Sequence, residues 1–317
     1  MTGVCRQKVR GRLKICALTF FVLLIAAFVA IFPERSSRAV IGGVKLFYEK
    51  LFPALFPMCI VSGILSRAGK FPSFLIKRVS RLFGVSKASA TAFVIGVFSG
   101  FPIGAMLVGQ LYERGEIEKD EAERMIGVCT CPSPAFLIVS VGTFLLHNKM
   151  LGVALWLGQM TAATSMAIAE RKDSVIFRRY DSTIKPMPTF KVICDSVCRA
   201  AQSMLPIAAF VCFFSLLCEM ICGSLPSDMI GLRTAISGFM EIGSGMSAAA
   251  RFDYPANICL CAAFAGWSGL SVHMQSASLL GGLSIKRCIK QKIELAAISV
   301  PLTLLYAELF TKLLPQL

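Results

Sequence analysis

The sequence predicts an all-α, polytopic transmembrane protein built from two inverted-topology repeats, each containing a re-entrant hairpin. Three observations point that way. Apolar residues make up 56% of the chain and fall in runs of about 20, the length of a bilayer-spanning helix. Only 16% of residues are charged, and mean hydropathy is +0.70; a soluble domain carries about a quarter charged residues. The Lys and Arg behind the net charge of +15 sit in short stretches between the apolar runs, where they set topology and meet anionic headgroups. That distribution makes membrane lipid the expected partner and argues against nucleic acid.

From the N-terminus, Arg6, Lys8, Arg10, Arg12 and Lys14 precede an apolar run from Ile15 to Phe32. The run is long for a signal peptide and no A-x-A site follows it, so it reads as an uncleaved first helix with a cytoplasmic N-terminus. Residues 38–50 suit a short amphipathic helix leading into Leu51–Pro57 and a span to Leu65. Residues 67–87 are basic and carry no acid. The run from Ala88 to Leu111 is interrupted by Ser99-Gly100-Phe101-Pro102-Ile103-Gly104. Residues 112–124 are polar and mainly acidic, the pattern of a solvated helical face. Met125 to Leu146 is split by Cys131-Pro132-Ser133-Pro134, Leu151 to Ala169 is a further span, and residues 170–191 are basic again.

The order then recurs. Residues 189–203 suit an amphipathic helix, and Met204-Leu205-Pro206 opens a span to Cys222. Met229 to Ala250 carries Glu241-Ile242-Gly243-Ser244-Gly245, at the place of the Ser99–Gly104 break. Ala256 to Leu280 carries Gly266-Trp267-Ser268-Gly269, at the place of the Pro132/Pro134 break. Lys286 to Lys292 is basic, and Ile293 to Leu314 is the last span. The chain therefore divides into an N-terminal helix (1–37) and two units (38–175 and 176–317).

Charge selects among topologies. If every long run crosses once, the basic loop at 170–191 falls outside, against the positive-inside rule. If the Pro132/Pro134 and Gly266/Trp267 segments are instead re-entrant hairpins, residues 1–14, 67–87, 170–199, 251 and 286–292 all lie inside. The two units then have opposite orientation, as an inverted repeat requires. This arrangement puts residues 112–124 and 170–190 on opposite faces.

Gly and Pro free backbone groups that lipid cannot satisfy, so such breaks belong where protein or a water-filled cavity receives them. Ser99, Gly100 and Pro102 read either as a kink with G-x-x-x-G packing or as a broken helix facing a solute. Thr130 and Ser133 offer hydroxyls at the first hairpin tip, to solute or to freed backbone. Glu241 is a carboxylate in an apolar run, beside Ser244; it is protonated, binds a coupling cation (Na+ or H+), or pairs with Arg251. Ser268, His273 and Gln275 belong to the second hairpin, where His titrates near neutral pH and Gln both donates and accepts. These ten residues are the expected solute contacts. The 13 Cys include C-x-C pairs, Cys129/Cys131 and Cys259/Cys261, with no His set at zinc spacing, so they read as small hydrophobes rather than ligands. No nucleophile, zincin or nucleotide motif occurs and no cofactor is expected, which argues against an enzyme.

Phe52-Pro53-Ala54-Leu55-Phe56-Pro57, Ser99 to Ala105, Pro134-Ala135-Phe136 and Gly266 to Gln275 together resemble the YlbJ-type sporulation integral membrane proteins, which carry the nucleoside-recognition (Gate) domain twice. The resemblance covers residues 40–310. It implies kinship with concentrative nucleoside transporters, a multi-pass location in a forespore or mother-cell membrane, and movement of a dipicolinate-like or nucleoside-like solute. The alternative is a non-transporting scaffold for spore cortex or coat assembly. The chain departs from the family at Thr130 and Cys131 (commonly Asn), Ser133 (Gly) and Trp267 (a small residue).

Overall fold

A computed structural model describes residues 2–68, 72–172 and 189–313. It is all-α, with no strand among the described residues. Among the described residues, three helices are long and apolar enough to cross a bilayer: Lys149–Ala169, Phe190–Cys222 and Lys286–Lys312. Two bent pairs meet the same criteria together, Ile15–Ile31 with Pro33–Leu51 and Ser73–Phe83 with Lys87–Ser99, each bent by 105°.

Helix α1 (Thr2–Ile31) stops at Phe32, and α2 (Pro33–Leu46) starts on a proline, whose missing N–H costs nothing in a first turn. Leu18, Phe20 and Leu23 on α1 are exposed, as side chains facing lipid are. α2 runs through a π-helical turn (Phe47–Leu51) into α3 (Phe52–Ala68). The wide turn lies just before Pro53, whose ring crowds the carbonyl four residues back. The expected separate helix at 38–50 is thus part of a longer helical path. α9 (Thr189–Cys222) also joins what the sequence divides: Pro206 is absorbed within 34 residues of helix. The boundary between units at 175/176 falls outside the described residues.

All four breaks are present. α5 (Lys87–Ser99) and α6 (Ile103–Glu113) flank Gly100–Pro102, and α4 (Ser73–Phe83) precedes them. α7 (Lys119–Cys129) and a π-helix (Ala135–Leu145) flank the prolines, followed by α8 (Lys149–Ala169). In the second half α10 (Ile230–Met240) and α11 (Ile242–Ala249) flank Glu241. α12 (Ala256–Trp267) and α13 (Gly269–Ala277) flank Ser268, and α14 (Lys286–Leu313) closes the chain.

The chain folds back at the other pair of breaks from the one the charge argument chose. Residues eight apart in a straight helix lie about 12 Å apart. Yet a Cβ added at Gly96 would sit 3.3 Å from the Cα of Gly104, and one added at Gly245 would collide with the Cα of Gly238. α5/α6 and α10/α11 are therefore helical hairpins, with tips at Gly100–Pro102 and Glu241. α7 does not pack along the π-helix, nor α12 along α13, so these pairs run onward through their breaks. Re-entrant hairpins at Pro132/Pro134 and Gly266/Trp267 are thereby overturned.

An ion cluster shows the same thing. Lys172 Nζ lies 2.8 Å from Asp120 Oδ2, and Arg287 lies 3.1 Å from Asp120 and 3.3 Å from Glu170. The 112–124 segment, the end of α8 and the start of α14 share one end of the molecule, not opposite faces. The 112–124 segment is a solvated face only in part: Glu113, Arg114, Glu118, Lys119 and Asp120 are exposed, but Glu121 and Arg124 are buried, and Glu121 Oε1 accepts from Ser86 N at 2.8 Å.

The last helices of the two halves, α8 and α14, pack along each other, as do α3 and α9. Gly158 lets α8 approach the backbone of Thr303 on α14. One apolar cluster takes in Phe101 and Ile103 from the first hairpin and Ile242 and Met246 from the second, so both tips meet the same core.

Candidate functional site

Within each half, the hairpin tip abuts the broken through-helix. Gly100 has φ +75°, and a Cβ there would stand 2.9 Å from Ser133 N. Gly269 has φ +78°, and a Cβ there would stand 2.9 Å from Ile242 N and 3.2 Å from the Cα of Glu241. Both positions need glycine twice over, for a left-handed backbone and for the close approach. The breaks at Ser99–Pro102 and Thr130–Ser133 thus come together, as do those at Glu241–Ser244 and Ser268.

Most hydroxyls singled out from the sequence are spent on local backbone. Ser99 Oγ donates to Ile95 O (2.8 Å), Thr130 Oγ1 to Ile126 O (2.5 Å) and Ser268 Oγ to Ala265 O (3.2 Å). Ser133 Oγ accepts from Phe136 N at 3.2 Å. Pro102 is the residue preceding α6. These residues build the breaks, which is the structural side of the two readings left open by the sequence.

Glu241 is 2% exposed and caps α11, accepting from Gly243 N at 2.9 Å and Ser244 N at 2.5 Å. It forms no pair with Arg251. A half-helix N-terminus is a natural anion site, and here the chain's own carboxylate fills it. Trp267 stacks on Phe239 (5.1 Å between centroids) and donates to its carbonyl. The His273 ring lies 4.5 Å from Trp267, with Nε2 buried and unbonded among the described residues. Gln275 Nε2 donates to Ser271 Oγ at 3.1 Å, leaving Oε1 buried and unbonded.

The central residue escaped the sequence reading. Lys292 is 0% exposed, and its Nζ donates to the carbonyl of Thr130 across the molecule. Its charge also acts on His273, Cys129 and Cys288. No carboxylate pairs with it among the described residues. Gln159 of α8, also 0% exposed, points Nε2 at the Cys131 sulfur (3.9 Å) and leaves Oε1 without a partner. Lys292 looked like one of several surface cations in 286–292, but α14 begins at Lys286 and carries that stretch into the packed bundle. Spacing holds a signal: Cys288, Lys292, Leu295, Ser299 and Thr303 recur at helical intervals and are all buried, so Lys292 falls on a buried stripe with two hydroxyls. A buried ammonium without a counter-charge is costly. Thr130 O is the one acceptor bonded to its three protons among the described residues, so this crossing of α7 and α14 keeps donors for an anion or an ordered polar solute.

Among curated proteins, the chain is similar to the sporulation integral membrane protein YlbJ of Bacillus subtilis (strain 168). The two are 25% identical over 308 aligned residues, spanning 84% of this chain and 76% of that one. The likeness supports the YlbJ-type assignment that the motifs imply, and the apolar helices agree with an integral membrane protein. No family model matches the chain, and no solved structure matches it.

Proposed function

We propose that the chain is a permease that moves a small anionic solute across a bacterial membrane during sporulation, in the forespore or mother-cell envelope. The observation that carries this reading is Lys292: a wholly buried cation with no acid beside it among the described residues, bonded to the broken backbone at Thr130. Paired backbone breaks with a buried charge between them are how transporters hold an ion that lipid would exclude. A lysine favours a carboxylate-bearing, dipicolinate-like solute over an uncharged nucleoside. His273, Gln275 and Gln159 supply neutral polar contacts, and Glu241 or His273 offers a place for a coupling Na+ or H+.

Uptake of labelled dipicolinate and of uridine into vesicles containing the purified protein tests this. The wild type is expected to move dipicolinate faster than protein-free vesicles do, and Lys292→Met to lose that uptake while eluting and melting as a folded protein. Equal uptake by Lys292→Met would overturn the reading. No uptake of either solute, together with spores of normal dipicolinate content and a defective cortex or coat, would favour the scaffold.

A further inference from the structure

A second polar region lies away from Lys292. A cleft of ≈ 670 Å³ opens between α2, α9, α10 and α11. It follows the second hairpin from base to tip. Arg233, near the start of α10, and Arg251, just past α11, both line it, and they meet there because the chain folds back at Glu241. Ser244 and Cys218 line it at the other end, where Glu241 holds Ser244 N from beneath. Thr234, Ser237 and Ser247 place hydroxyls between the two ends.

The charge balance of the cleft is positive. Glu219 is the acid in its lining, and it is already engaged by Arg35 at 3.0 Å, whose guanidinium stands 5.4 Å from the Phe32 ring centre. Arg233 is fixed in place by one bond, Nη1 to Leu225 O at 3.1 Å, which leaves most of its donors free. The Arg251 side chain has no ion-pair or hydrogen-bond partner among the described residues. Two guanidinium groups and a line of hydroxyls, with the one acid neutralised from outside, form a receptor for oxygen anions.

We infer that this cleft binds an oxyanion, held by Arg233 and Arg251 at the base of the α10/α11 hairpin. The ligand is a phosphate or carboxylate group, carried either by a free solute or by the headgroup of an anionic lipid. The site is separate from the Lys292 crossing and does not depend on transport.

Thermal unfolding of the full chain in neutral detergent tests it, in potassium phosphate against chloride at matched ionic strength. Phosphate is expected to raise the melting temperature beyond chloride. Arg251→Gln, a change at an exposed residue without partners, is expected to weaken phosphate binding about tenfold, the usual loss for a charge-assisted contact. Arg233→Lys, which keeps the charge and loses the fork, weakens it similarly, while Arg81→Gln on α4 and Lys292→Met leave it unchanged. A parallel arm compares nanodiscs of phosphatidylcholine with and without phosphatidylglycerol. Arginine-dependent stabilisation by phosphatidylglycerol alone identifies the headgroup as the source, and by phosphate alone a free solute. Absence of both effects, or stabilisation of Arg251→Gln and Arg233→Lys equal to that of the wild type, overturns the site. Because Lys292→Met removes transport but not this binding, failure of either reading is distinguishable from failure of the other.

Discussion

Glu241 shows how the structure adds a role to the competing readings of one side chain. In the sequence it is a costly carboxylate in an apolar run, open to protonation, cation binding or pairing with Arg251. In the structure both oxygens accept from the first turn of α11, bonds that a helix N-terminus cannot make to lipid. Its first task is thus to end one helix and begin the next. Glu241→Ala is expected to cost about 1–3 kcal/mol, because it orphans two buried N–H groups, and Glu241→Gln about half as much, since one acceptor remains. Chemical unfolding in detergent measures both. A Glu241→Ala protein as stable as wild type would show that the cap is dispensable and return the carboxylate to a purely ionic role. The residue-level lesson extends to Ser99, Thr130 and Ser268. Hydroxyls beside a Gly or Pro break in an apolar run find their partners in the preceding turn.

At the level of elements, glycine spacing decides which breaks reverse the chain. Gly96 and Gly104 meet across the first tip, and Gly238 and Gly245 across the second. No side chain fits between the arms. Gly245→Val is expected to force α10 and α11 apart and to destabilise by about 1–3 kcal/mol or more, whereas Gly231→Ala on the same hairpin, with open space around it, is neutral or slightly stabilising. Melting curves of the two variants compare them directly, and equal tolerance at both positions would argue against the fold-back. The positions of all four breaks were legible in the sequence because Gly and Pro mark them. Their geometry was not. Charge counting cannot distinguish a segment that returns to its own side from one that crosses when both leave the neighbouring loops on allowed faces. Glycines seven or eight apart around a break carried the missing information. Lys292 was obscured for a related reason: the start of α14 lies seven residues earlier than hydropathy suggests, so its first turns are polar in composition yet packed in the bundle.

At the scale of the whole molecule, Asp120 ties the two halves together at one end. It contacts Lys172 after α8 and Arg287 on α14, while Arg124, one turn along α7, lies 3.3 Å away. Gln291 extends the cluster inward, donating to Arg124 O and Glu170 Oε2, both at 2.8 Å. Impermeant thiol labelling of single cysteines at Glu116 and Lys172, in a cysteine-depleted chain, is expected to reach both from one side; labelling from opposite sides would restore the rejected topology. The same cluster sets an acid limit. The hydrogen bond from Lys172 holds the Asp120 carboxyl below its usual range, helped by the charges of Lys172, Arg124 and Arg287 against a partial desolvation. A carboxyl whose folded value lies below the unfolded value of about 3.9 stabilises the fold above that pH. The contribution is lost as pH falls from there through the lowered folded value. Asp120 is about half exposed, so the gain is screened and amounts to about 1 kcal/mol or less at neutral pH. Asp120→Asn is therefore expected to lower the melting temperature slightly at pH 7 and to flatten its decline below pH 4, bringing the two proteins together in acid. Parallel melting curves across that range would mean that Asp120 bears no part of the link between the halves, leaving the packing of α8 on α14 to hold them.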